Sequence, residues 1–138
     1  MNVAFTGLDD QAKVLRAEID RRIARVLDHG RFIMGPEVAE FESALASFCG
    51  ASNAIGVANG TDALQIALMA GGIKSGDAVF LPAFTYTATA EVIMILGAIP
   101  FFVDVDASTF NIDCGHLETQ IKRAQELGIR PAAVIGVD

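Results

Sequence analysis

Leu15, Ile19, Ile23 and Leu27 recur every four residues, with Ala12 and Val26 beside them. That spacing puts them on one face of a helix, predicted over Asp9–Asp28 and closed by Gly30. Phe32-Ile33-Met34-Gly35-Pro36 then reads as a turn, with Pro36 placed to open a second helix. Val38, Phe41, Leu45 and Phe48 mark one face of that helix, and Gly50 ends it. Together these helices make an N-terminal helical arm over residues 1–52.

From residue 53 the rhythm changes. Strands are predicted at Ala54–Ala58, Ala78–Leu81, Ile99–Val103 and Ala132–Val137, each short and apolar. Helices fall between them at Asp62–Ala70, Thr87–Leu96 and His116–Leu127, closed by Gly71, Gly97 and Gly128. Apolar strands joined by helices imply an α/β fold: a mainly parallel sheet with helices on both faces. Residues 53–138 would be the first part of such a domain. The strand at Ala132–Val137 reaches the carboxyl end, where doubly wound sheets gather functional groups, with nothing after it. The sequence is therefore expected to be a fragment of a longer protein.

Composition agrees with a well-buried core: 138 residues, 52% hydrophobic and 20% charged. A net charge of -7 argues against a nucleic-acid partner, which needs clustered Lys and Arg. Arg21, Arg22 and Arg25 form the one basic cluster and read as a solvated helix face. Cys49 and Cys114, with His29 and His116, lack metal-ligand spacing, so no metal is expected. Cys49, after Phe48 on an apolar face, reads as a core residue. No secretory signal opens the chain, and no segment approaches the roughly 18 apolar residues of a membrane span. A soluble, cytoplasmic protein is expected.

Asn59-Gly60-Thr61-Asp62-Ala63-Leu64 carries the clearest chemistry. A strand, a glycine turn and a helix start leave backbone N–H groups unpaired, and the helix dipole adds partial positive charge. That suits an anion such as phosphate. No Lys or Arg lies between Arg31 and Lys74, so a phosphate would rest on amides and the Thr61 hydroxyl. Asp62 is expected to give its N–H and turn its carboxylate away. The bland alternative is an Asn-Gly turn with Thr61 as an ordinary N-cap.

Further along, Tyr86, the only tyrosine, lies in Pro82-Ala83-Phe84-Thr85-Tyr86-Thr87-Ala88-Thr89-Ala90-Glu91, at a strand's carboxyl end. Its ring could lie against a planar ligand. Read from the residues alone, the better account is a half-buried strand-end tyrosine, with Thr85 or Thr87 capping the next helix. Asp104 and Asp106 read as turn formers, Asn111-Ile112-Asp113 as a helix approach, and Phe101 and Phe102 as core. No GxGxxG fingerprint follows any strand, which counts against a Rossmann dinucleotide site.

Phe32-Ile33-Met34-Gly35-Pro36-Glu37-Val38, Asn59-Gly60-Thr61-Asp62-Ala63-Leu64, Phe84-Thr85-Tyr86-Thr87-Ala88-Thr89-Ala90-Glu91 and Val103-Asp104-Val105-Asp106 together resemble the DegT-type sugar aminotransferases. These are pyridoxal-phosphate enzymes of fold type I, the aspartate-aminotransferase fold. The resemblance runs along the whole chain, in order and spacing, but covers only the amino-terminal part of the family.

What the resemblance implies is specific. Gly60, Thr61 and Asp62 would bind the phosphate of pyridoxal 5'-phosphate, and Tyr86 would stack on its pyridine ring. The Phe32–Pro36 turn would lie near the active-site mouth. The reaction would move an amino group from L-glutamate to a nucleotide-linked keto-sugar, in a homodimer serving sugar or polysaccharide biosynthesis. The Schiff-base lysine and the pyridine-pairing aspartate belong beyond Asp138, so no catalytic residue is assigned here and residues 1–138 alone are expected to be inactive. Lys13, Lys74 and Lys122 lack the family's lysine context. Two other readings stay open: a non-catalytic regulatory relative that keeps the cofactor pocket, and a generic phosphate-binding α/β domain.

Overall fold

The computed structural model describes residues 6–137. Contacts divide the chain into two compact units, residues 1–56 and 57–138.

The first unit holds α1 (Leu8–His29) and α2 (Pro36–Cys49). Gly30 and Gly50 end them in the left-handed conformation, with φ of 66° and 67°, where a side chain would be strained. Pro36 occupies the first turn of α2, as its fixed φ favours. The polar side of α1 is laced by i,i+3 and i,i+4 pairs: Arg16–Asp20, Arg21–Glu18 and Arg22–Glu18. The basic cluster is thus a solvated, ion-paired face. Arg25 joins the two helices by donating to Glu40 and pairing with Glu37, while His29 meets Glu37 at 3.0 Å.

The apolar face of α1 is amphipathic in pattern, yet no residue of the helix is buried; Leu15, Ile19, Ile23 and Leu27 are all exposed. Phe48 and Cys49 are exposed too, correcting the core role read for Cys49. Periodicity records which face a helix would cover; it does not supply the cover.

The second unit runs α3 (Gly60–Ala70), β1 (Ala78–Pro82), α4 (Ala88–Ile95), β2 (Ile99–Val103), α5 (Cys114–Glu126) and β3 (Pro131–Val134). The three strands are parallel in the order β2-β1-β3. Strand β1 is buried along its whole length, and its alternation divides the core. Val79 and Leu81 pack with Leu68, Val92, Ile93 and Ala98 of the α3–α4 side. Ala78 and Phe80 pack with Phe101, Val103 and Ala124 of the α5 side. Helices therefore cover both sheet faces, as the run of apolar strands requires.

Two sequence expectations fail here. Ala54–Ala58 forms no strand. Strands exist only as pairs, and both edges of β1 are taken by β2 and β3; the Gly56 N–H turns instead to the Glu42 carboxylate at 2.7 Å. Phe102 is half exposed, because period-2 alternation sends it away from the face that Phe101 buries. Among the described residues no helix is long and apolar enough to cross a membrane.

Candidate functional site

Asn59 caps α3, which the sequence reading did not anticipate. Its extended backbone, φ −163° and ψ 175°, brings its Oδ1 to the Asp62 N–H at 2.8 Å. Asn59 Nδ2 in turn donates to the Asp62 carboxylate at 3.1 Å, and the Asn59 carbonyl accepts the Ala63 N–H at 3.1 Å. Thr61 is therefore not the cap. The Asp62 N–H, expected to face an anion, is held by Asn59.

What remains open is smaller and better defined. The Gly60 and Thr61 amides have no intrahelical acceptor, because the first N–H groups of a helix never do. The half-buried Thr61 makes no side-chain hydrogen bond among the described residues. Two N–H groups and one hydroxyl belong to the first residues of this 11-residue helix, at the positive end of its dipole. Around Gly60 a Cβ would meet nothing within 4 Å, so the approach is clear. This donor set fits a phosphate group.

Tyr86 lies beyond β1, with its side chain largely in solvent at 79% exposure. It lines a groove of about 290 Å³ with Phe84, Thr85, Phe110, Asn111 and Val137. Gly60, Thr61 and Asp62 are not part of that lining. Thr85 hydroxyl meets the Thr89 hydroxyl at 2.9 Å, and Thr87 stands at the start of α4 without a side-chain cap. The tyrosine is thus not a half-buried residue at a strand end; its ring is available to a ligand.

The opposite wall is built by a loop the sequence reading treated as a turn. Asp106 Oδ1 accepts the N–H groups of Ser108 and Thr109 at 3.0 and 2.8 Å, and both their hydroxyls. These donors, the Ser108 hydroxyl foremost, pull the Asp106 carboxyl down to about 2. The loop closes with Asp106 N–H on the Asn111 carbonyl at 2.9 Å and Phe110 N–H on the Asp106 carbonyl at 2.8 Å. Phe110 is left at φ 60°, and its ring packs on Phe84 with centroids 5.6 Å apart.

Asp113 caps α5 by accepting the His116 N–H at 2.8 Å, and His116 Nδ1 accepts the Asp104 N–H at 2.8 Å. A ring nitrogen thereby ties the end of β2 to the first turn of α5. Asp104 and Asp106 act as turn-building groups, and the described residues hold no group of three His, Cys, Asp or Glu side chains able to hold a metal. The Phe32–Pro36 turn belongs to the other unit: Phe32, Ile33 and Met34 are exposed, Met34 at φ 48°, and Gly35 is buried.

Residues 13–138 match the DegT/DnrJ/EryC1/StrS aminotransferase family. The chain is 50% identical, over 86% of its length, to the UDP-2-acetamido-2-deoxy-3-oxo-D-glucuronate aminotransferase of Pseudomonas aeruginosa, covering 33% of that protein. It is 43% identical over 88% of its length to a pleiotropic regulatory protein of Geobacillus stearothermophilus, covering 32% of it. In structure it superposes with a TM-score of 0.93 and 44% identity on a DegT DnrJ EryC1 StrS aminotransferase from Brucella abortus, over 99% of this chain and 37% of that one. The NtdA structure of Bacillus subtilis, with bound cofactor PMP, matches with a TM-score of 0.76 at 30% identity, over 87% of this chain and 26% of that one. The chain thus spans about a third of the length of the curated relatives it matches.

Proposed function

The chain belongs to the DegT/DnrJ/EryC1/StrS aminotransferase family, and from that membership we propose that it forms the first part of the cofactor-binding large domain of a nucleotide-sugar aminotransferase. The enzyme would hold pyridoxal 5'-phosphate and move an amino group from L-glutamate to a nucleotide-linked keto-sugar. The observation that carries the reading is the start of α3. There Asn59 occupies the Asp62 N–H and leaves the Gly60 and Thr61 amides to an anion.

In this reading Gly60 and Thr61 bind the cofactor phosphate, and Asp62 serves the site by locking Asn59. With no cation nearby in sequence, the phosphate rests on hydrogen bonds and the helix dipole. Tyr86, with its ring exposed, would stack on the pyridine ring. Phe84 and Phe110 line the same groove, their rings packed on each other. When bound, pyridoxal phosphate supplies the electron sink for amino transfer, and this chain's part is binding and orientation. The lysine that carries the cofactor and the acid that pairs with the pyridine nitrogen are assigned to residues outside this chain. A cytoplasmic homodimer acting in sugar or polysaccharide biosynthesis completes the proposal.

The test uses the full-length protein. Purified with pyridoxal phosphate, it should form 2-oxoglutarate from L-glutamate and aminate a nucleotide-linked keto-sugar; UDP-linked 3-keto sugars are the first to try. The 43% identity to a regulatory protein supports a second reading, in which the cofactor pocket is kept without turnover. Tight cofactor binding with no exchange against any amino donor would favour it.

A further inference from the structure

Phe110 stands where no ordinary turn would put a phenylalanine. Its φ of 60° is left-handed, a conformation that costs a bulky side chain energy and is held only when its surroundings impose it. The imposing group is Asp106. One carboxylate oxygen gathers four donors from Ser108 and Thr109, and the Asp106 backbone closes on Phe110 and Asn111. The isolated bridge between Val105 and Ile112 fixes the base of the loop. The result is that the Phe110 ring packs on Phe84 at 5.6 Å and an interplanar angle of 42°. Phe84 is two residues from Tyr86, and all three line the same groove.

Phe84 and Phe110 are exposed by 66% and 58%, so their pairing adds little to the core. A strained backbone that delivers an exposed ring to the edge of a ligand groove calls for a purpose at that groove.

We propose that the Asp106–Asn111 loop positions the stacking wall of the cofactor site: Asp106 holds Phe110 against Phe84, and that pair fixes the segment on which Tyr86 sits. Asp106 and Phe110 are positioning residues, acting through Phe84 and Tyr86 without touching the cofactor's reacting atoms. The inference rests on the reading that Tyr86 stacks on pyridoxal phosphate.

The experiment is a cycle in the full-length protein with Tyr86→Ala, Phe110→Ala, Asp106→Ala and Asp106→Asn. Two readouts are taken: the dissociation constant of pyridoxal phosphate for the apo protein, and the visible circular dichroism of the bound cofactor, which reports ring orientation. Phe110→Ala and Asp106→Ala should each weaken binding about two- to tenfold, the range an aromatic pair is worth, and alter the dichroism. Asp106→Asn keeps an acceptor oxygen and should restore most of both. In the Tyr86→Ala background, Phe110→Ala should add nothing further. Phe110→Asn suits the left-handed backbone while removing the ring, so it should match Phe110→Ala if the ring is what matters. Should Phe110→Ala fail to fold by far-ultraviolet dichroism, the Asp106 pair carries the test with Phe110 intact. If Tyr86→Ala weakens binding and the Phe110 and Asp106 variants do not, the inference is overturned and the stacking reading stands. If Tyr86→Ala has no effect, the stacking reading itself fails and takes the inference with it. An undiminished Phe110→Ala effect in the Tyr86→Ala background also overturns it.

Discussion

Asn59 and Asp62 close the first turn of α3 on each other: Asn59 Oδ1 accepts the Asp62 N–H at 2.8 Å, and Asn59 Nδ2 donates to the Asp62 carboxylate at 3.1 Å. The arrangement resembles a capping box in which the N3 carboxylate accepts from the N-cap side-chain amide instead of the N-cap backbone N–H. It also turns the one acidic group of this turn onto an amide, so its charge is engaged at the mouth of the proposed anion site. Asn59→Ala should lower stability by about 1 kcal/mol, as loss of an N-cap does. Asn59→Asp should retain the cap and so most of the stability, while placing a second negative charge beside the phosphate. Urea unfolding measures the first effect and cofactor titration the second; equal cofactor affinity in Asn59→Asp and the parent would argue against a phosphate there.

Thr61→Ala removes the single side-chain donor proposed for the phosphate. Cofactor affinity should fall by about 1–2 kcal/mol, the order for a hydrogen bond to a charged group. Global stability should barely change, because the Thr61 hydroxyl has no partner within the described residues. An unchanged dissociation constant in a titration of the apo variant would remove Thr61 from the site.

Tyr86 separates ring from hydroxyl. Tyr86→Phe should keep most cofactor binding, and Tyr86→Ala should lose about 1 kcal/mol or somewhat more. Indistinguishable dissociation constants for the two variants would mean that the ring is not the contact.

How much of this was legible in the sequence follows from which forces are local. The extents of α1, α3 and α5 came out within two residues, because apolar periodicity and terminal glycines are read along one stretch of chain. Strand β2 matched end to end for the same reason. Ala54–Ala58 has the same apolar look and pairs with nothing, since a strand depends on a distant partner that a local pattern cannot certify. The proposed anion site was legible in the glycine turn, a local signal of the same kind. The cap lies two residues before the Thr61 of the bland alternative, because Asn59 and Thr61 are both good caps and only the backbone decides between them. The Asp106 loop was read as a turn and is one. That it delivers Phe110 to Phe84 is a contact between segments some twenty-six residues apart, and no composition or spacing signals it.

Gly35 is fixed by contact. A Cβ there would lie 2.6 Å from the Arg31 carbonyl oxygen and 3.1 Å from Glu37 Oε2. The first neighbour is backbone and cannot swing aside, so the turn before α2 must open. Gly35→Ala should cost about 1–3 kcal/mol, the range for an overpacked site. Gly7→Ala meets no clash, with nothing within 4 Å, and should cost less, only what Ala loses to Gly at the N-cap of α1. Thermal unfolding of the two variants side by side checks the contrast, and equal midpoints would contradict it.

Asp77 is the buried acid of the second unit, 6% exposed at the foot of β1. Arg130 Nε donates to its Oδ1 at 2.8 Å and Arg130 Nη2 to its Oδ2, while the Lys74 N–H donates to Oδ2 at 2.7 Å. The Arg130 hydrogen bonds first, and the Lys74 amide second, hold this carboxyl below its ordinary value of 3.8. A carboxyl lowered in the folded state binds fewer protons there than in the unfolded chain, so stability rises with pH through this range. Its contribution is fully present above 3.8 and drains away as pH falls through the lowered native value. Arg130→Gln removes the principal cause. The stability lost by that variant should be greatest near neutrality and shrink as the medium is acidified, because a protonated Asp77 no longer needs its cation. The measurement is urea unfolding of the parent and Arg130→Gln across that pH range. A stability difference that stays constant with pH would mean the guanidinium acts at this site through packing alone.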